Sequence, residues 1–354
     1  MVTDDAYGYN EPMDISDNVS LADYSTMHLG GSAAHLTHIS SREGLRKALE
    51  WAAQQQLPVL VIGGGSNIVW RDEGFPGLVI VNEIKRYEVL EASETTSYLT
   101  VGAGEIWDSV VERSVAGGLT GIEALSLIPG TAGATPIQNV GAYGQEISQT
   151  LITVEAFDTQ VNDFVTLRGS ECGFDYRTSR FKTTDRGRFY ITGLTLHVLK
   201  DNPAPPFYGA IQRYFEEHSI TEYTPAALRA AVIAIRTSKL PDPTVVHNAG
   251  SFFANPIVDQ QQFFALQAQF PTVPSWPAAN DQVKISAAWL IEQAGFKAVH
   301  DETTGMATWS TQPLVLVNEH AQTTADLLAF KQKIADAVKQ TFSVTLIQEP
   351  ELLP

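Results

Sequence analysis

The chain has 354 residues, 44% of them hydrophobic and 18% charged, with a formal net charge of −17. That length suits two or three domains at roughly 100–200 residues each, with a core large enough to need no covalent staples. So acidic a surface repels nucleic acid, and no apolar run approaches the ~20 residues that span a bilayer.

Cys172 is the sole cysteine, so no intrachain disulfide forms, which suits a reducing compartment; the cytoplasm is the expected location. The acidic start, MVTDDAYGYNEPMDISDN, has neither a basic region nor an apolar core and reads as a floppy leader rather than a secretory signal. A monomer acting on a small molecule is expected. If that molecule is anionic, a few Lys or Arg must gather locally to hold it.

Ser40 and Glu43 predict a capping box for a helix carrying Leu45, Ala48, Leu49, Ala52 and Ala53, ended by Pro58. The apolar run from Pro58 to Ile62 reads as a buried strand that leads directly into Gly63-Gly64-Gly65-Ser66-Asn67, and Leu78 to Val81 as another. A strand from Tyr98 to Val101 precedes a helix with Trp107, Val110, Val111 and Val115 on one face, stopped by Gly117 and Gly118. From Gly121 to Gly144 the chain is dense in Gly, Pro, Asn and Thr. Val154–Phe157 and Asp163–Leu167 form a predicted hairpin, and Phe189–Leu199 is a further strand.

Thr224 caps a helix with Pro225 in its first turn and Leu228, Val232 and Ile235 inside. Leu240-Pro241-Asp242-Pro243 marks a boundary. Beyond it come a helix around Ile285–Ala294, a strand Pro313–Val317, a long helix Thr324–Thr341 and a last strand Val344–Ile347. The order is strand-rich α+β rather than regular βαβ winding. It divides at 1–82, 83–240 and 241–341, with 342–354 returning to the first part.

Five stretches have the residue types that chemistry needs. Glycines at 63–65 let backbone approach a phosphate and aim successive N–H groups at it. No dinucleotide fingerprint or P-loop is present, because Ile68 stands at the third glycine position and no Gly-Lys-Ser/Thr follows. The Gly-rich stretch from Ile128 to Gly144 is long for a plain connector, and Gln138 and Asn139 offer donors and acceptors. Phe174–Lys182 interleaves Arg177, Arg180 and Lys182 with aromatics, a pattern that suits a carboxylate clamp; on a strand, Arg177 would point opposite to Tyr176. Ser251 sits among small residues and two phenylalanines, with Phe253 where a nucleophile elbow needs glycine, which argues against a nucleophile and leaves a positioned proton donor as an open role. Glu349 and Glu351 flank Pro350 after an apolar strand, so that either carboxylate can be held in place. His35 and His38 have no Cys or carboxylate cluster to complete a metal site, and no metal is assigned.

Together these pieces resemble one family, the UDP-N-acetylmuramate dehydrogenases, also called UDP-N-acetylenolpyruvoylglucosamine reductases. The likeness runs from Thr26 to Glu351 and rests on Thr26-Met27-His28-Leu29-Gly30-Gly31, Gly63–Asn67, Pro129-Gly130, Pro136–Gly144, Tyr176-Arg177, Phe181-Lys182, Arg236–Pro243, Ala249–Phe253 with Asn255-Pro256, and Glu349-Pro350-Glu351. The resemblance implies a vanillyl-alcohol-oxidase (PCMH-type) FAD-binding fold of two subdomains and a C-terminal α+β substrate-binding domain. Tyr208 matches the tyrosine loop of the family's longer subclass.

It also implies a non-covalent FAD reduced by NADPH, and a hydride passed from flavin N5 to UDP-N-acetylglucosamine enolpyruvate in peptidoglycan precursor synthesis. Gly63, Gly64, Gly65, Ser66, Asn67, Pro129, Gly130, Gln138, Asn139, Gly141, Ala142 and Gly144 match the cofactor site. Tyr143, Tyr176, Tyr208, Lys239, Asn255 and Gln312 match substrate-holding positions. Arg177, with Glu351 as its partner, matches the group that stabilises the enolate-like charge, and Ser251 matches the proton donor. Two departures stand out: the chain stops soon after Glu351, and Ala254 stands where family members often carry a basic residue. Another FAD oxidase of this fold acting on a sugar or alcohol, and a non-catalytic nucleotide-sugar binder, are the alternative readings.

Overall fold

The computed structural model describes residues 13–354; residues 1–12 of the acidic leader lie outside it. Past residue 12 the chain is not loose. Ile15–Ser20 is an edge strand that pairs antiparallel with Ser32–Ile39. This first sheet runs in the order Ile15–Ser20, Ser32–Ile39, Phe75–Asn82, Val59–Ile62, and its last two pairings are parallel. Phe75–Asn82 is central and buried along nearly its whole length, as expected of a parallel strand covered on both faces. Helix α1 (Arg42–Gln54) packs Leu45, Ala48 and Ala52 against Leu78 and Ile80. Its cap is Ser41, whose Oγ accepts from Gly44 N at 3.0 Å, rather than the expected Ser40. The extended Ser41 backbone aims its hydroxyl at the free N–H groups of the first turn, which leaves Ser40 one residue too early.

The middle part is a five-stranded antiparallel sheet in the order Asp163–Arg168, Leu151–Asp158, Phe189–Leu199, Thr96–Gly102, Tyr87–Glu91. The expected hairpin is its first pair, with Val154 opposite Leu167 and Asp158 opposite Asp163. Helix α2 (Trp107–Ala116) sets Trp107, Val110 and Val111 into one core with Leu99, Val101, Leu194 and Leu196. Two more helices follow, α3 (Gly209–Glu217) and α4 (Pro225–Lys239). They share a core of Ile211, Phe215, Leu228 and Val232. At α4 the Thr224 side chain accepts from Ala227 N, as the Thr-Pro signal predicts.

The last part builds the sheet Asn248–Ser251, Val315–Asn318, Met306–Thr308, His300–Asp301. Around it lie helices α5 (Gln260–Gln269), α6 (Ala287–Gln293) and α7 (Thr324–Phe342). Its core joins Phe252, Phe253, Leu290, Phe330 and Ile334. The expected strand Val344–Ile347 is reduced to Ile347–Gln348, paired with Phe253–Ala254. Glu351–Leu353 then pairs in parallel with Ile68–Trp70. The chain end therefore crosses from the third sheet system back to the first, and this crossing positions the candidate site.

Candidate active site

The strand Val59–Ile62 delivers Gly63–Asn67 from its C-terminal end, where open α/β sheets bind ligands. This loop lies against a second glycine-bearing loop. Ser66 Oγ donates to Pro129 O at 3.1 Å, and Asn67 Nδ2 donates to Gln138 Oε1. A Cβ added at Gly64 would sit 3.1 Å from Gly130 Cα, and one at Gly130 would sit 2.8 Å from Ser66 Oγ. Only glycine lets two main chains come this close. The N–H groups of Gly64, Gly65 and Ser66 have no protein acceptor among the described residues. Gly65 is buried and Ser66 half-buried, and backbone donors so placed are nearly always satisfied; with the exposed Gly64 N–H they form a row that is a ready seat for a phosphate. The residues present therefore fit a bound dinucleotide.

The second loop ends in a miniature hairpin, in which Gly141-Ala142 pairs with Gln145-Glu146. Tyr143 and Gly144 at its tip have φ of 50° and 89°, the positive pair a two-residue type I′ turn requires. The Tyr143 ring meets Tyr208 edge-on at 5.6 Å, and its phenol lies against Arg236 of α4. Burial pushes the Tyr143 phenol up and the Arg236 guanidinium down. Asn139, at φ 48°, is buried, and its amide is committed to Glu146 Oε2, Asp175 O and Ser148 N. Its side chain thus holds the loop in shape, and only its backbone is open to a cofactor.

Arg177 is not on a strand. Asp175 and Thr178 bridge a tight turn, and Arg177 sits in it at φ 54°, a left-handed conformation uncommon outside glycine. The turn swings the guanidinium back over the Gly-rich loop. Arg177 Nη2 donates to Gly141 O at 2.6 Å. Tyr176, its neighbour, reaches the third part of the chain: its hydroxyl accepts from Asn255 Nδ2 at 3.4 Å, and Lys284 Nζ lies 4.8 Å from its ring centre.

The expected pairing of Arg177 with Glu351 is replaced by another. Glu349 Oε1 lies 3.4 Å from Arg177 Nε, while Glu351 Oε1 pairs with Arg186 Nη2 at 2.5 Å. The reason is register. Glu351 opens the strand paired with Ile68–Trp70, and its N–H donates to Asn67 O at 3.0 Å. Glu349 lies before Pro350, and its N–H is fixed on Phe252 O at 3.0 Å. Lys182 Nζ donates to Glu349 O at 3.0 Å. Burial raises the Glu349 carboxyl pKa, against the pull of Arg177 and Lys182, and lowers that of the Lys182 ammonium. Arg180 stands apart, bonded to Asp185 and Glu171 O.

Ser251 ends a strand with an irregularity between Asn248 and Ser251, where Gly250 N donates to Asn248 Oδ1 at 2.9 Å. Such a bulge re-aims the side chain after it. No hydrogen bond of the Ser251 hydroxyl is present among the described residues. Lys239 ends α4, and its carbonyl accepts from Thr311 Oγ1 at 2.7 Å, which sets Gln312 beside it. The Gln312 Oε1 and Arg236 Nε atoms are buried without partners. Sequence reasoning passes over Arg236 as a site residue, although it lies one helical turn before Lys239. His35 and His38, three apart on one strand, bond separately to Asp17 and Glu83. Cys172 is buried and its thiol is pushed up to about 11, away from reactivity.

Two family models match this chain: an FAD binding domain over residues 33–160, and the C-terminal domain of UDP-N-acetylenolpyruvoylglucosamine reductase over 242–353. A protein of that name from Cupriavidus pinatubonensis is 41% identical over 93% of this chain and 96% of its own length. The chain belongs to the UDP-N-acetylenolpyruvoylglucosamine reductase family. The relatives from Alcanivorax borkumensis and Thermobifida fusca are each 40% identical, over 96% and 95% of this chain and 96% and 97% of their own. The crystal structure of the Thermus caldophilus reductase superposes with a TM-score of 0.68 at 25% identity, covering 97% of this chain and all of that one.

Proposed function

We propose that this chain binds FAD non-covalently and, with NADPH, reduces UDP-N-acetylglucosamine enolpyruvate to UDP-N-acetylmuramate; its relatives are named as reductases of that enolpyruvyl sugar, and residues 33–160 match an FAD binding domain. FAD, when bound, supplies a two-electron carrier that takes hydride from NADPH and gives it to the enolpyruvyl carbon. Everything else falls to the chain's own residues. The open N–H groups at 64–66 hold phosphate, and Pro129, Gly130 and Gln138 wall the seat. Arg177 sits where negative charge builds on the substrate carboxylate, and a fixed cation aimed at developing charge is the largest aid to such a step. Ser251 gives a proton to the neighbouring carbon. A hydroxyl is a weak acid, so it serves only when held in place against a strongly basic carbon. Glu351 tethers the chain end to the cradle through Asn67. Tyr143, Tyr176, Tyr208, Asn255 and Gln312 enclose the nucleotide sugar, and Lys239 offers the local positive charge that a −17 protein must concentrate to hold a diphosphate.

One observation carries this reading. The segment 349–351 touches all three parts at once: Glu349 N bonds Phe252 O beside Ser251, the Glu349 carboxylate meets Arg177, and Glu351 N bonds Asn67 O in the cradle. No helix among the described residues is long and apolar enough to cross a membrane, and the proposal is of a cytoplasmic monomer acting on a small nucleotide sugar. The test is a visible spectrum. The purified protein is expected to be yellow, to bleach with NADPH, and to recolour without oxygen on addition of the enolpyruvyl substrate. A protein that stays bleached with that substrate but recolours with another acceptor is a different reductase.

A further inference from the structure

The buried carboxylate of Glu349 is assigned no part by the family likeness, yet it lies at the centre of the charged corner. We propose that Glu349 is a positioning residue that fixes Arg177 for the substrate carboxylate, an inference that rests on the function proposed above. Arg177 presents a planar fork with fixed directions. Its Nη2 is held by Gly141 O at 2.6 Å, and its Nε faces Glu349 at 3.4 Å. With those two contacts made, both Nη1 hydrogens and the second Nη2 hydrogen are left to meet a ligand. A Cβ on Gly141 would come within 3.0 Å of that same Nη1, so the loop is trimmed to let the guanidinium lie flat there.

Arg177 and Lys182 both lie against Glu349, and both pull on its carboxyl. The carboxylate is itself held, since its backbone N–H is on Phe252 O and its carbonyl accepts from Lys182. Its side chain is 14% exposed, against 23% for Arg177, so water competes poorly for the contact. Without the negative charge, the Nε edge has nothing to oppose it and the fork is held by Gly141 O alone.

The test uses the FAD-loaded enzyme and separates its half-reactions by stopped flow. Glu349→Gln keeps the size and removes the charge. Bleaching by NADPH is expected to stay within about twofold of the parent, while recolouring by the enolpyruvyl substrate slows roughly 10–100-fold, the scale of a misplacement near 1 Å. Titration of the oxidised enzyme with UDP-N-acetylmuramate, read by the shift of its visible spectrum, is expected to show weaker binding of that carboxylate. Glu349→Asp, which keeps the charge but withdraws it by one methylene, is expected to recover part of both losses; it also decides the matter if the Gln variant does not fold, then showing normal bleaching and slowed recolouring. Parental recolouring and binding in both variants, or equal slowing of both half-reactions, overturns the proposal. A parent enzyme that the substrate does not recolour overturns the functional reading instead.

Discussion

The glycine cradle at 63–67 and 129–144 and the charged corner at 177–182 and 349–351 lie side by side and are built on opposite terms. The cradle works by leaving side chains out: two main chains meet at Gly64 and Gly130, and the N–H groups of 64–66 stay open. The corner works by bringing long side chains together from segments about 170 residues apart, as when Lys182 bonds Glu349 O. In the proposed function the cradle holds a ligand through shape and dipoles. In the same proposal the corner holds it through single atoms, each replaceable by one mutation. Changes in the corner should therefore damage one chemical step, and changes in the cradle should damage binding.

The sharpest test of that contrast is Ser251→Ala, at the residue that adjoins the corner through the Glu349 N–Phe252 O bond. It is expected to leave bleaching by NADPH intact and to slow recolouring by substrate about 10²–10³-fold, the range for a lost positioned proton donor. Stopped flow on the two half-reactions reads it, and equal slowing of both would give Ser251 some other task. Next comes Arg177→Lys. A point charge cannot reproduce the fork that bonds Gly141 and faces Glu349, so a loss of roughly 10²-fold in turnover with substrate is expected. Near-normal turnover in that variant takes Arg177 out of the mechanism.

On the cradle side, Gly64→Val places a branched side chain 3.1 Å from Gly130 Cα. Overpacking of that kind costs about 1–3 kcal/mol, which is about a tenfold loss of FAD affinity for each 1.4 kcal/mol. Apoprotein titrated with FAD by fluorescence quenching measures it. The residual enzyme that does hold FAD should turn over near the parental rate. If its turnover falls as steeply as in the corner variants, the two regions are not separable.

The same contrast explains what can be read before folding. Gly63–Asn67 is local, so its turn chemistry and its place after a buried strand are visible in consecutive residues. The hairpin 151–168, α2 and the Thr224-Pro225 cap are visible for the same reason, since periodicity and caps act within a few residues. The Arg177 partner is not. Two carboxylates flank Pro350, and only the pairing of Glu351–Leu353 with Ile68–Trp70 decides which one faces inward. Register between distant strands is set by the whole sheet, not by neighbours. Nor does the sequence show the left-handed turn at Arg177, a conformation against local preference that goes with contacts to Gly141 O and Glu349. α3 escapes sequence reading because its stretch follows a proline run and carries only a short apolar face.

The smallest effect expected lies in neither region, and it calibrates them. Asp158, at the end of Leu151–Asp158, is 4% exposed and takes both oxygens to Arg188, at 2.9 and 2.7 Å. The Arg188 contact, helped by backbone N–H groups, holds its carboxyl below the usual range. A depressed carboxyl stabilises the fold at every pH above the unfolded value near ~4, and that contribution disappears as pH falls through the folded value. Asp158→Asn removes the charge and leaves Arg188 with Asp185 alone, at 3.3 Å. A loss of about 1–3 kcal/mol is expected at neutral pH, with both half-reactions unchanged. The gap between thermal melts of parent and variant should begin to narrow below about pH 4 and close once pH has fallen through the lower folded value, where the parent loses the same charge. If the gap between them stays constant down to acid, the pair contributes through packing rather than ionisation. If the half-reactions change as well, the sheet transmits strain to the site, and the separation of cradle from corner must be redrawn to include it.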